Sequence, residues 1–209
     1  MVANFDLTGK TAVITGGGGI LCGEMAVELA DRGVKVAVLD INHEKINEVV
    51  ADIKNNGGKA IGIRTDVLDR DSLKRARKKV LAKFGEIDIL INGAGGNRKE
   101  ATTDEENDFF ALPEPAIASV FNLNFMGTVL TSQVFGEVMA QKGKGSIINV
   151  SSMAANIPLT KTIAYSAAKS AVSNFTMWLA VHLNQNYATG LRVNAIAPGF
   201  LLTEQNKYL

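Results

Sequence analysis

The sequence of 209 residues has one cysteine, Cys22. No internal disulfide can form, and a reducing compartment, the cytoplasm, is expected. It also lacks an excess of either charge: 22 Lys plus Arg stand against 21 Asp plus Glu, a formal net charge of +1. Such a balance gives no long-range field to attract nucleic acid or an anionic membrane. The one basic run, Lys74 to Lys79, has Leu73, Ala76, Val80 and Phe84 at helical spacing, so its charges cover a solvated helix face. No apolar run is long enough to span a bilayer, and the opening MVANFDLTGKTAVITGG lacks the basic-then-apolar order of a signal peptide. No linker, repeat or low-complexity stretch divides the chain, so one domain over residues 1–209 is expected. No metal site is expected.

What the chain does have is an alternation. Short β-branched bursts fall at 11–15, 35–39, 60–64, 87–91, 146–150 and 191–196. Longer amphipathic stretches separate them, at 24–32, 43–56, 71–84, 119–141 and 164–184. Asn42 is placed to cap the second of these, and Gly57-Gly58 to stop it. Strands apolar on both faces and separated by helices predict an α/β fold: a doubly wound parallel sheet with helices on both faces, a Rossmann fold. Residues 97–115 are the least regular and read as a long surface loop.

The first burst runs directly into TGGGGILCG. Glycines between a strand and a helix let a pyrophosphate approach backbone N–H groups at a positive helix terminus. Asp40 ends the second burst, 24 residues after Gly16, where an acid accepts hydrogen bonds from a ribose and repels a 2′-phosphate. NAD is therefore expected over NADP, with Lys45 close enough in sequence to bear on that choice. Cys22 reads as a small residue where the helix starts, or as an oxidisable thiol beside the phosphates. Tyr165 and Lys169 in AYSAAKSA sit four apart, hence on one helix face.

TGGGGILCG, NGAG at 92–95, NVSS at 149–152, YSAAK at 165–169 and PG at 198–199 come in the order and spacing of the short-chain dehydrogenase/reductases, which the sequence resembles along essentially its whole length. The resemblance implies a seven-stranded doubly wound sheet, a nicotinamide cofactor and hydride transfer between alcohol and ketone. Position by position, it makes Tyr165 the general acid/base. Lys169 becomes the cation that favours the phenolate and holds the nicotinamide ribose. Ser152 is the donor to the substrate oxygen, and Asn124 the helix asparagine that positions a water, with Asn122 as nearby competitor. It implies cofactor contacts at Gly16, Gly19, Gly23, Asp40, Asp66, Asn92, Gly93, Pro198, Gly199 and Thr203. Two departures stand out: the glycine loop is one residue longer than the family pattern, and the usual NNAG reads NGAG. The chain also stops ten residues after Gly199, where the family continues with a lid, a helix and a strand, so a C-terminal part is expected to be missing from this sequence.

Several stretches, GAGGNRKEATT and APGFLLTEQN among them, look most like the D-mannonate oxidoreductases, also called fructuronate reductases, a branch similar to gluconate 5-dehydrogenases. A sugar-acid substrate needs a cation for its carboxylate. Lys161 and then Arg98 are the candidates, against the competing reading of each as a solvated surface charge. A neutral polyol or ketone is the alternative substrate. A nucleotide-sensing regulator is the alternative from another class, although such proteins typically lose the tyrosine or the lysine. The resemblance also implies pairing of helices 119–141 and 164–184 between subunits, as a dimer or tetramer, with Trp178 either core or interface.

Overall fold

A computed structural model describes residues 6–105, 107–157 and 159–199. Six strands form one parallel sheet: β1 Thr11–Thr15, β2 Lys35–Asp40, β3 Lys59–Arg64, β4 Ile89–Asn92, β5 Lys144–Val150 and β6 Gly190–Ile196, in the order β3-β2-β1-β4-β5-β6. The order reverses between β1 and β4, and at such a switch point a crevice opens beyond the C-terminal strand ends. The resemblance implied seven strands; the described residues hold six.

Each central strand is buried on both sides because its two side-chain sets meet different helix layers. Ala12 and Ile14 of β1, with Val36 and Val38 of β2, join Ala26, Ile46 and Ile53 of α1 (Ile20–Asp31) and α2 (His43–Asn55). Val13, Ala37 and Leu39 point to the opposite layer. There they meet Leu73 and Val80 of α3 (Arg70–Phe84), Phe135 and Met139 of α5 (Gly127–Lys142) and Leu183 of α6 (Ile163–Asn186). Burying a side chain such as Phe135, with no exposed surface, contributes about 2–3 kcal/mol.

The helix ends follow their local chemistry. Asn42 accepts from the Glu44 and Lys45 N–H groups to start α2, and Asp69 accepts from Asp71 N–H to start α3. Gly85 ends α3 at φ +84°. The helix read at 119–141 starts earlier, at Glu114 just after Pro113. It runs as α4 (Glu114–Phe121), a π turn (Asn122–Met126) and α5. The 97–115 loop is less irregular than its composition suggested, with 3₁₀ turns at Lys99–Ala101 and Phe109–Ala111.

Candidate active site

At the C-terminal end of β1 the chain turns sharply through the glycines. Gly16 has φ +65°, and a Cβ there would lie 2.7 Å from Gly93 O, so a side chain fits neither the conformation nor the space. Gly17 passes equally close to Val38, where an added Cβ would lie 2.9 Å from Cγ1. Gly19 caps α1 without a side-chain hydrogen bond, and no acid occupies the first turn. The N–H groups of that turn are thus not claimed by a capping side chain, as an anion site requires. Asp40 closes the far side: Oδ2 accepts from Gly18 N–H at 3.1 Å and Oδ1 from Asn42 N–H at 2.9 Å. A cleft of about 350 Å³ follows, lined by Gly16, Gly19, Cys22, Asp40, Lys45, Asp66, Gly93 and Gly95, among others. A glycine turn, an uncapped helix N-terminus and a carboxylate at the second strand's end fit the phosphates and ribose of a dinucleotide.

Two expected cofactor residues are placed differently. Gly23 lies inside α1, where an added Cβ would meet Val49 Cγ2 at 3.3 Å; its glycine serves the close approach of α1 and α2, away from the cleft lining. The Asn92 side chain, 2% exposed, turns into the core and donates to Ser132 Oγ (2.9 Å) and Asn149 Oδ1 (2.8 Å). Asn149 in turn donates to Thr176 Oγ1. This chain ties β4, β5, α5 and α6 together behind the cleft. The cleft wall after β4 is Gly93 to Gly95 instead, with the Gly93 and Ala94 N–H groups donating to Thr15 Oγ1.

The two motif departures explain each other. A Cβ on Gly93 would lie 2.1 Å from Cys22 Sγ. The thiol of the altered glycine loop occupies the space that any side chain at 93 would need. Burial raises the Cys22 thiol to about 11, with the nearby Lys169 charge pulling weakly the other way, so the thiol is protonated and unreactive at neutral pH. That favours the small-residue reading of Cys22.

Ser152, Tyr165, Lys169 and Asn124 converge. β5 delivers Val150 and Ser151–Ser152 to the sheet's C-terminal edge, and α6 presents Tyr165 and Lys169 one turn apart. Ser152 lies close enough to the Tyr165 phenol to favour its ionised form. The Lys169 ammonium donates to Val150 O at 2.7 Å and lies 5.5 Å from the Tyr165 ring centroid. Ser151 braces the helix, its hydroxyl donating to Lys169 O at 3.1 Å and sitting 2.6 Å from Ser173 Oγ. Asn124 is fully buried in the π turn. It donates to Val120 O and Gly96 O and accepts from Gly96 N–H. A Cβ on Gly95 would lie 2.4 Å from Asn124 Oδ1 and 3.4 Å from Lys169 Nζ, so these groups crowd one point. A π turn is a frequent signature of a functional position. Asn122 begins the same turn but is not among its buried residues.

Burial disfavours both charged forms here. Lys169 is lowered to about 8 by desolvation, against a weak opposing effect of Cys22. Tyr165 is raised by desolvation, and the nearby Ser152 offsets part of the rise. The expectation that Lys169 lowers the phenol is therefore not met in this arrangement. The ammonium lies over the ring and spends one N–H on a carbonyl, and desolvation prevails.

Pro198 and Gly199 run beside the serines. Pro198 O accepts from Met153 N–H at 3.0 Å, and a Cβ on Gly199 would approach Met153 Sδ at 3.2 Å. Thr203 lies outside the described residues. Arg98 and Lys161 are both exposed. Their segments share one rim: Thr103 N–H donates to Lys161 O at 3.0 Å, and Ala101 packs in a small cluster against which Tyr165 rests. Trp178 is 56% exposed and stacks on His182 at 4.7 Å, so it belongs to a surface and not to the core. Among the described residues no helix is long and apolar enough to cross a membrane.

A family model described as short chain dehydrogenase matches residues 10–209. An uncharacterized oxidoreductase, UxuB, of Bacillus subtilis strain 168 is 53% identical over 96% of this chain and 74% of its own length. The 7alpha-hydroxysteroid dehydrogenase of Escherichia coli K12 is 33% identical over 98% of this chain and 76% of its own. A crystal structure from Haemophilus influenza, provisionally named a D-mannonate oxidoreductase and holding NAD, superposes with a TM-score of 0.91. It is 46% identical over 98% of this chain and 75% of that one.

Proposed function

The chain belongs to the short-chain dehydrogenase family, and from that premise we propose that it is an NAD-dependent oxidoreductase acting on a sugar acid, with D-mannonate and D-fructuronate as the alcohol–ketone pair. The observation that carries this is the convergence of Ser152, Tyr165 and Lys169 at the end of a cleft that begins at the glycine turn.

Bound nicotinamide supplies or accepts the hydride. The chain's own groups hold the substrate and move the proton. Tyr165, kept protonated at neutral pH by burial, donates its phenolic proton to the substrate oxygen during ketone reduction. Ser152 hydrogen-bonds the same oxygen as negative charge develops there. Lys169 holds the ribose and restores the proton on Tyr165 through a water positioned at Asn124. Asp40 accepts from the adenosine ribose and opposes a 2′-phosphate, which favours NAD; Asp66 lines the adenine end. The sugar-acid carboxylate binds at the rim shared by Lys161 and Arg98. The name given to the Haemophilus structure supports this substrate class. The relative named for a steroid alcohol keeps a neutral alcohol as the second reading.

Two copies pair through α5 and α6, whose surface carries the exposed Met177, Trp178 and Val181, in a dimer or tetramer. A cytoplasmic location rests on the single, buried thiol. The test is a substrate panel read by NADH and NADPH absorbance: fructuronate, 5-ketogluconate and neutral ketoses. The proposal requires fructuronate with NADH to exceed neutral ketoses in kcat/KM by at least about tenfold. Preference for a neutral ketose would transfer the assignment to the second reading.

A further inference from the structure

Four lysines surround one hollow at the end of the sheet opposite the glycine turn. Lys35 opens β2 and Lys59 opens β3. Lys54 lies in the last turn of α2 and Lys83 in the last turn of α3. With Phe84 and Ala60 they line a cavity of about 480 Å³, within the roughly 300–1,000 Å³ of small-molecule sites. Among the described residues no carboxylate lines it. The ion pairs of the described residues use other cations, such as Lys10, Lys74, Arg77 and Lys142.

Ordinary folding accounts for part of this. Lys54 and Lys83 sit at helix C-termini, where the helix dipole favours a cation. Lys59 is on an edge strand, where a lysine deters edge pairing. Neither reason covers Lys35, on an inner strand. Lys35 and Lys59 are register partners on adjacent parallel strands, about 4.8 Å apart, so their side chains leave the same face side by side. Like charges so placed are destabilising. The chain has 21 acids to set against them, yet none of those among the described residues lines the hollow, and two helix ends add a third and fourth cation. A conflict of this kind, uncompensated locally, is where a sequence answers to a ligand more than to folding.

We propose that this hollow binds a multivalent phosphate anion. Four lysines lining one concavity exceed what a monoanion needs and match a condensed phosphate chain, inorganic or carried by a nucleotide. The ring of Phe84 and the methyl of Ala60 supply an apolar wall for an organic body. β2 runs from Lys35 to Asp40, about 16 Å, so this site and the dinucleotide cleft do not overlap. It stands whether or not the assignment of the cleft is right.

The test titrates the protein with sodium tripolyphosphate by calorimetry at low salt, with and without NAD. Saturable binding at one site per chain is expected, unchanged by NAD and weakened about tenfold or more between about 50 and 200 mM salt. ATP in the presence of NAD separates the sources: tighter binding than tripolyphosphate identifies a nucleotide, equal binding an inorganic chain. The K35M/K59M variant should bind tripolyphosphate at least about tenfold more weakly, yet melt a few degrees higher than the parent without it, because the repulsion is gone. K54M/K83M should show the same loss of binding and guards against a folding defect in the first pair. Absence of saturable binding, displacement by NAD, undiminished binding in both variants, or a lower melting point for K35M/K59M would overturn the proposal.

Discussion

Replacing Lys169 by Met should make the protein more stable while removing its activity. Lys169 is 4% exposed, and burial lowers it from 10.5 to about 8. At pH 7 the folded chain carries this charge, and holding it there costs the shift of roughly 2.5 units, or about 3 kcal/mol. Methionine fills a similar volume without the charge. The loss of the bond to Val150 O returns about 1 kcal/mol of the gain, leaving about 2 kcal/mol in favour of the variant. For a chain of this size that is a rise of about 4–8 °C in Tm. The pH dependence is the sharper signature. Between about pH 8 and pH 10.5 the unfolded chain keeps a proton on this lysine that the folded chain has released, so the wild type gains stability as pH rises through that window. The advantage of K169M should shrink to near zero by pH 10. Urea unfolding of both proteins at pH 7 and pH 10 measures this directly, and the groups they share cancel in the difference. A variant less stable than wild type at pH 7, or a difference that does not change with pH, would refute the reasoning.

Three other outcomes follow from the same geometry. Gly93→Ala places a Cβ 2.1 Å from Cys22 Sγ and 2.9 Å from Thr15 O; a loss of about 3 kcal/mol is expected in urea unfolding. The C22A/G93A double variant should recover about half of it, and strict additivity of the two single changes would sink the pairing of Cys22 with Gly93. Lys161→Met should raise KM for fructuronate at least about tenfold and leave KM for a neutral ketose within about twofold, with Arg98→Met showing the smaller effect; equal effects on both substrates would remove Lys161 as the carboxylate anchor. Asn124→Leu deprives Gly96 N–H and Gly96 O of their buried partner, so kcat should fall about 100-fold and thermal stability by about 2 kcal/mol; retained kcat at normal stability would remove Asn124 from the proton path.

The fold was legible because the apolar alternation is regular. All six strands and the helices between them appear within a few residues of where periodicity put them, since a strand buried on both faces leaves an unbroken apolar run such as Val36 to Leu39. The helix read from 119 begins five residues earlier, at Glu114, where Pro115 in the first turn carries a helical φ and lacks only an N–H that the first turn leaves unbonded. Tyr165, Lys169, Ser152 and Asn124 were found by motif, and they meet in space. Motif spacing could not tell which side of β4 a side chain takes, so Asn92 was read toward the cleft when its amide closes a buried network with Asn149 and Thr176. Nor could it assign Gly23, whose role is visible only in the distance to Val49. The Cys22–Gly93 pair was latent in two departures from the family pattern, 71 residues apart, and only contact distance joins them. The direction of the Tyr165 shift also needed burial, which a spacing of four residues does not report.

The central claim is that the Tyr165 phenol moves the proton beside a bound dinucleotide. The most direct measurement compares wild type and Tyr165→Phe in NADH oxidation with fructuronate, alongside NAD binding by calorimetry. A loss of kcat of at least about 1,000-fold with NAD affinity within about threefold of wild type is predicted. A Phe variant that turns over at a rate close to wild type would contradict it.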